Sequence, residues 1–360
     1  MSLSLPATIG QLIVGGFDGE SPSRRFLEAL RRKERAGAIL FRRNLPTLEA
    51  AHAQCRSLVE HSPDLPPFIG VDQEGGRVVR LPAPALTLPA MRHFGKLGDI
   101  ELVRRAARAV AFELVAIGFN LDFAPVLDVD TNPDNPVIGD RAFGSDPETV
   151  SRAGVAFAQG LQAQGILACG KHFPGHGDTH LDSHLDLPVI HHPRERLDRV
   201  ELVPFRAAVE ARIGSMMTAH IVCEALDPSV PATLSRAIVT DLLRNELGFD
   251  GVVFSDDLEM KAIADRYSYE DAAIMAIEAG CDVLLVCRDE DAQDRVFEAL
   301  LRRAERDASF LGRCREAAER SLSARRAFSP KPAASYEEVA SAMQSPERLA
   351  LQRDLSQVIA

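Results

Sequence analysis

GILACG (Gly165–Gly170) runs directly into KHFPGHGDTHLDSHLDLP (Lys171–Pro188). The first six residues form a short apolar run that reads as a buried strand. The next eighteen have no apolar period and contain Pro174, Gly175 and Gly177, so they read as a loop at that strand's end. Four of the chain's ten histidines (His172, His176, His180, His184) and three aspartates (Asp178, Asp182, Asp186) fall in it. A long polar loop on a strand tip is where enzymes carry catalytic groups.

The same strand-then-polar-end pattern recurs along the chain. Strands are expected at 11–15, 37–41, 67–71, 120–124, 166–170, 215–219, 251–255 and 282–287. Helical patterns lie between them. One spans 99–117, opening at Asp99 and stopping at Gly118; a second spans 147–164, with Asp146 as N-cap and Pro147 at N1; a third spans 268–279, ending at Gly280. Alternating strands and helices imply parallel pairing through crossovers. Eight strands then suggest an α/β fold, a single-domain (β/α)8 TIM barrel over residues 1–330. An open doubly wound sheet is the alternative, but no GxGxxG follows the first strand. Residues 73–98 read as an irregular insertion. Residues 331–360 read as a polar tail with one helix over 336–356, packed outside the barrel or serving association.

Composition limits the partners. The 360 residues are 46% hydrophobic and 26% charged, enough for one large core or two domains. A net charge of -11 argues against nucleic acid and anionic membranes. The six cysteines are scattered without a CxxC pair and suit buried free thiols in a reducing compartment. The N-terminus lacks the pattern of a secretory signal, and no apolar run approaches the ~20 residues that span a bilayer. A cytoplasmic monomer acting on a small molecule is expected.

In a barrel of this kind, chemistry sits at the C-terminal strand ends. Those ends carry Asp72-Gln73-Glu74 with Arg77 and Arg80; Asp128, Asp130, Asp140 and Arg141; Lys171, His172 and the histidine loop; His220; and Asp256-Asp257. Bland readings exist for each. Asp72 could cap a turn. Asp256 or Asp257 could cap the next helix. Arg141 could pair with Asp140 or Asp146 at the surface, and His220 reads better as a hydrogen-bonded core histidine than as a ligand. Two chemistries compete for the set. The loop's imidazoles and carboxylates could hold zinc or iron, although the spacing is not HExxH and a Gly/Pro-rich loop preorganises ligands poorly. Alternatively, Asp256 on a rigid strand end could be the nucleophile of a retaining glycosidase, with a loop histidine held by an aspartate as acid/base.

GVDQEGGRV (Gly70–Val78), NPVIGDRAFGSDP (Asn135–Pro147), KHFPGHGDTHLDSH (Lys171–His184), MTAHI (Met217–Ile221) and GVVFSDDLEM (Gly251–Met260) occur in order. In these motifs the chain resembles bacterial β-N-acetylhexosaminidases of the NagZ type, in glycoside hydrolase family 3. The resemblance implies a metal-free, cofactor-free retaining β-N-acetylglucosaminidase. Asp256 would be the nucleophile, His184 the acid/base and Asp182 its orienting partner. Asp72, Arg80, Arg141, Lys171 and His172 would hold the sugar, with Lys171 and Arg141 helping to keep Asp256 ionised. It further implies a GlcNAc-anhydro-muropeptide substrate from peptidoglycan recycling. His176 would shape the loop and His180 face solvent. Glu259 departs from the family pattern, and its side chain would raise the Asp256 pKa if it faced the pocket. A phosphorylase using phosphate as acceptor, and the metal-dependent hydrolase, are the competing enzymes.

Overall fold

The computed structural model describes residues 3–180 and 187–359. Among the described residues ten strands are formed: β1 Ile13–Gly15, β2 Gly37–Leu40, β3 Phe68–Val71, β4 Leu121–Asp122, β5 Leu167–Phe173, β6 Val189–Ile190, β7 Ser215–Thr218, β8 Val222–Cys223, β9 Val252–Asp257 and β10 Val283–Val286. Eight close a parallel barrel in the order β1-β10-β9-β7-β5-β4-β3-β2, while β6 and β8 pair separately. The pairing of β1 with β10 through Ile13 and Leu284 closes the ring, which excludes the open doubly wound sheet. Each of the eight expected strand runs supplies one stave.

The barrel interior is filled rather than hollow. Phe68, Phe123 and Phe254 meet edge to face, with centroids 5.3 and 5.4 Å apart, among Val14, Leu121, Leu167 and Leu285. This apolar plug supports the polar layer above it. The N-terminal end is closed by Arg325, fully buried, which donates to the carbonyls of Ala36 (3.1 Å) and Pro66 (3.0 Å) and to Gln11 Oε1 (2.6 Å). Burial lowers its pKa to about 9, which is still above neutral pH, so the guanidinium stays cationic.

Local signals place the outer helices. Asp99 Oδ1 accepts from Leu102 N at 2.9 Å to start the Ile100–Ile117 helix, and Gly118 ends it at φ +118°. Asp146 caps the Pro147–Gln162 helix through Thr149 N, also at 2.9 Å. The Tyr269–Ala279 helix ends at Gly280. The expected single helix over 336–356 is two, Tyr336–Ala342 and Pro346–Ile359. Pro346 cannot continue a helix, and Ser345 Oγ accepts from Arg348 N at 3.3 Å to start a new one. Val339, Leu351 and Leu355 of these helices, and Met343 just past the first, are buried in the core. The insertion after β3 is largely irregular, but Met91–Leu97 within it is helical. All six cysteines are free and buried. No described helix is long and apolar enough to cross a membrane.

Candidate active site

At the C-terminal ends of the staves lies a cavity of about 230 Å³. Asp72, Arg80, Arg141, Lys171, His172 and Asp256 all line it, so six of the eight expected site residues share one space. The other two, Asp182 and His184, lie outside the described residues. Strand geometry explains the convergence. Asp72 follows β3, Lys171 and His172 belong to β5, and Asp256 belongs to β9. The β5–β7 register shifts between Gly170 and Phe173, and the β9–β10 register shifts beside Leu285. Such irregularities re-aim side chains at barrel rims.

The centre of the site is a residue to which the sequence reading assigned no role. Glu74, 2% exposed, accepts a fork of two bonds from Arg141 Nε and Nη2, both 2.8 Å, and a third contact from Lys171 Nζ at 2.6 Å. Lys171 Nζ also donates to Asp72 Oδ1 at 2.8 Å, and Arg80 Nη2 approaches Asp72 Oδ2 at 3.5 Å. Glu74 was legible in one respect: it stands two residues from Asp72 just past the end of β3, and both meet Lys171. Arg141 is therefore not a surface partner of Asp140, which pairs with Arg77 at 3.3 Å, nor of Asp146, which caps a helix.

The charges in this cluster tune one another. Burial alone would raise the Glu74 pKa, but Arg141 and Lys171 overcome it and hold the carboxyl well below its ordinary range. Burial likewise disfavours the Lys171 ammonium, and Asp72 and Glu74 reverse that, raising its pKa. The field of Lys171 and Arg141 is thus largely spent on these carboxylates. Three cations (Lys171, Arg141, Arg80) face two carboxylates (Asp72, Glu74), a surplus of one positive charge in the cavity that Asp256 also lines.

Removing Glu74 leaves buried cations short of a counter-ion, so Glu74→Gln is expected to cost about 3 kcal/mol in urea unfolding at pH 7. Because its folded pKa lies below the unfolded value of about 4.3, the wild-type advantage is complete above that pH. It is lost as pH falls through the folded value, so the gap between wild type and variant narrows on acidification. A gap independent of pH would contradict the ion-pair account.

Imidazoles form the adjoining wall. His172 Nδ1 lies 2.7 Å from Asp128 Oδ2, and Asp128 Oδ1 accepts from His176 N at 2.7 Å. This buried aspartate orients His172 and leaves its Nε2 edge for other partners. His176 also lines the cavity, and its Nδ1 sits 2.8 Å from Thr179 Oγ1. Burial, reinforced by His172, lowers the His176 pKa to about 4, so it is a neutral imidazole. It does shape the loop, as expected. His180 is exposed and meets Asn132 Nδ2 at 3.1 Å. His220 is a fully buried core histidine between Thr233 Oγ1 (2.8 Å) and the Asp257 carbonyl (2.9 Å).

Asp256 and Asp257 diverge in role. Both line the cavity, and Asp256 Oδ1 accepts from Asp257 N at 2.8 Å. Burial and the nearby Glu259 charge push the Asp257 pKa up to about 7, although its Oδ1 accepts from Glu259 N and Cys287 N. Glu259 is not among the cavity's lining residues. Its carboxylate accepts from Arg288 N (2.6 Å) and Asp289 N (3.0 Å) and ties the end of β9 to the loop after β10. Among the described residues, no group of three or more metal-ligating side chains is arranged to hold a metal ion.

Comparison with known proteins agrees with this fold. Residues 4–320 match the model of the glycosyl hydrolase family 3 N-terminal domain. A β-hexosaminidase from Thiobacillus denitrificans is 42% identical over 271 residues, 73% of this chain and 74% of that protein. The alignment with β-hexosaminidase A of Pseudoalteromonas piscicida spans only 47% of that longer protein. A family 3 β-N-acetylglucosaminidase structure from a Paenibacillus species superposes with a TM-score of 0.91 at 37% identity, covering 99% of this chain and 69% of that one. The structure of NagZ from Neisseria gonorrhoeae with N-trifluoroacetyl-D-glucosamine superposes with a TM-score of 0.79 at 30% identity, covering 97% and 98%.

Proposed function

The chain belongs to the glycosyl hydrolase family 3 N-terminal domain family and is a glycosidase, and we propose that it is a retaining β-N-acetylglucosaminidase. It removes non-reducing terminal, β-linked N-acetylglucosamine. The substrate is a GlcNAc-anhydro-muropeptide, and the setting is peptidoglycan recycling in the cytoplasm. The observation that carries this reading is the shared cavity of Asp72, Arg80, Arg141, Lys171, His172 and Asp256. Related proteins described as β-hexosaminidases and as a β-N-acetylglucosaminidase support the choice of sugar.

In this reading Asp72 accepts from sugar hydroxyls while Lys171 and Arg80 hold it in orientation. Arg141, Lys171 and His172 donate to the sugar without competing for electrons at the nucleophile. A carboxylate oxygen of Asp256 attacks the anomeric carbon, and the bond to the leaving oxygen breaks. His184 supplies the proton that the leaving oxygen takes. In the second step the same imidazole removes a proton from water, which releases the sugar and regenerates Asp256. Asp182 orients the ring and stabilises the imidazolium.

The test compares an aryl β-N-acetylglucosaminide with the matching β-glucoside, in buffer containing chelator. Selective cleavage of the N-acetyl sugar is expected. Silence on both, relieved by added metal, would replace this reading with a metal-dependent one. A sugar phosphate formed when phosphate is supplied would replace the hydrolase by a phosphorylase.

A further inference from the structure

The Pro346–Ile359 helix is tied to the irregular segment after β3 through a buried arginine. Arg348, 7% exposed, donates from Nε to Glu113 Oε1 at 2.9 Å. Its Nη2 donates to the carbonyl of Pro84, and its Nη1 donates to Gln352 Oε1 at 2.7 Å. Glu113, 2% exposed on the Ile100–Ile117 helix, uses its other oxygen to accept from Leu86 N at 2.7 Å. The pair therefore pins two nearby points of the irregular segment that follows β3.

That segment supports the cavity wall with no slack. Leu88 O accepts from Gly76 N at 2.9 Å. A Cβ on Gly75 would lie 2.9 Å from the Pro89 carbonyl, and one on Gly76 would lie 2.9 Å from Ala90 Cα. Both glycines have positive φ, +112° and +54°, so the turn depends on their being glycine. The turn holds Glu74 and Val78 together, since Glu74 N and Gly75 N both donate to Val78 O at 3.1 and 3.2 Å. Glu74, Val78 and Arg80 line the cavity.

We propose that Arg348 and Glu113 are positioning residues for the substrate cavity. The C-terminal helix, through this pair, holds the wall that carries Glu74 and Arg80 in register with Lys171 and Arg141. A shift of that wall loosens the cation–carboxylate cluster and weakens sugar binding more than it slows bond cleavage. The catalytic arm of this inference rests on the glycosidase reading; the structural arm does not.

The experiment uses the full chain. Glu113→Leu with Arg348→Met removes both charges at similar volume, so no charge is left buried alone, but Leu86 N and Pro84 O lose their partners. Arg348→Lys keeps a charge that can reach Glu113 or Pro84 but not both. With each variant held well below its Tm, KM for an aryl β-N-acetylglucosaminide should rise about fivefold while kcat stays within about twofold. Amide exchange at Gly76 and Leu86 should quicken about tenfold, with barrel amides such as that of Leu284 unchanged. Wild-type KM and wild-type exchange at Gly76 in the double variant would overturn the proposal and leave the pair an ordinary structural ion pair. If the wild-type chain cleaves no N-acetylglucosaminide, the glycosidase reading fails and exchange at Gly76 decides the positioning claim by itself.

Discussion

Asp256→Asn should lower turnover of N-acetylglucosaminides by about 10⁴-fold or more while leaving the fold intact. The chemical reason is that a neutral amide oxygen is too weak a nucleophile to form the glycosyl ester on which a retaining reaction depends. Local geometry makes the variant structurally mild. Asp256 is half-buried and faces the cavity, and its Oδ1 accepts from Asp257 N at 2.8 Å, a bond that an asparagine Oδ1 preserves. Losing the charge also leaves the three cations facing only Asp72 and Glu74, so binding of an uncharged sugar should change little. Steady-state kinetics beside a thermal melt and a binding isotherm for N-acetylglucosamine check the three parts separately. Activity near wild type would remove Asp256 from the nucleophile role.

The second large effect concerns the acid/base. His184→Ala should slow substrates with poor leaving groups by about 10²–10⁴-fold, the usual reach of a positioned proton donor. Aryl glycosides with strongly acidic phenols should lose much less in the first step, because their leaving oxygen departs without a proton. The pattern across a leaving-group series is the informative measurement. Equal losses on good and poor leaving groups would count against proton donation by His184. An unperturbed histidine pKa of about 6.5 suits both the donating and the accepting step near neutral pH. Asp182→Asn should follow the same pattern at smaller amplitude if its task is to orient the ring.

Whether Glu259 faces the pocket is a question that its sequence position leaves open. A carboxylate three residues past the nucleophile candidate invites an electrostatic role at the site. Its oxygens instead accept the amides of Arg288 and Asp289, and its charge acts on Asp257, which is turned to the backbone amides of Glu259 and Cys287. The same care applies to the histidine loop. His172 and His176 are committed to Asp128 and Thr179, so histidine density at one strand end reflects several distinct tasks.

The local grammar of the chain was enough to write down the barrel. Eight apolar runs became eight staves, and Asp99, Gly118, Asp146 and Gly280 bounded helices where caps and glycines belong, because strand burial and helix ends are decided by residues a few positions apart. The polar residues at the strand ends followed from the same reading, since parallel staves of one barrel share a single C-terminal face. Pairings between distant residues did not follow. Glu74 meets Arg141 across 67 positions and Glu113 meets Arg348 across 235. Which buried carboxylate takes which buried cation depends on the register of the staves and on where an outer helix comes to rest. No residue carries that information in its immediate neighbours, and only the packed chain supplies it.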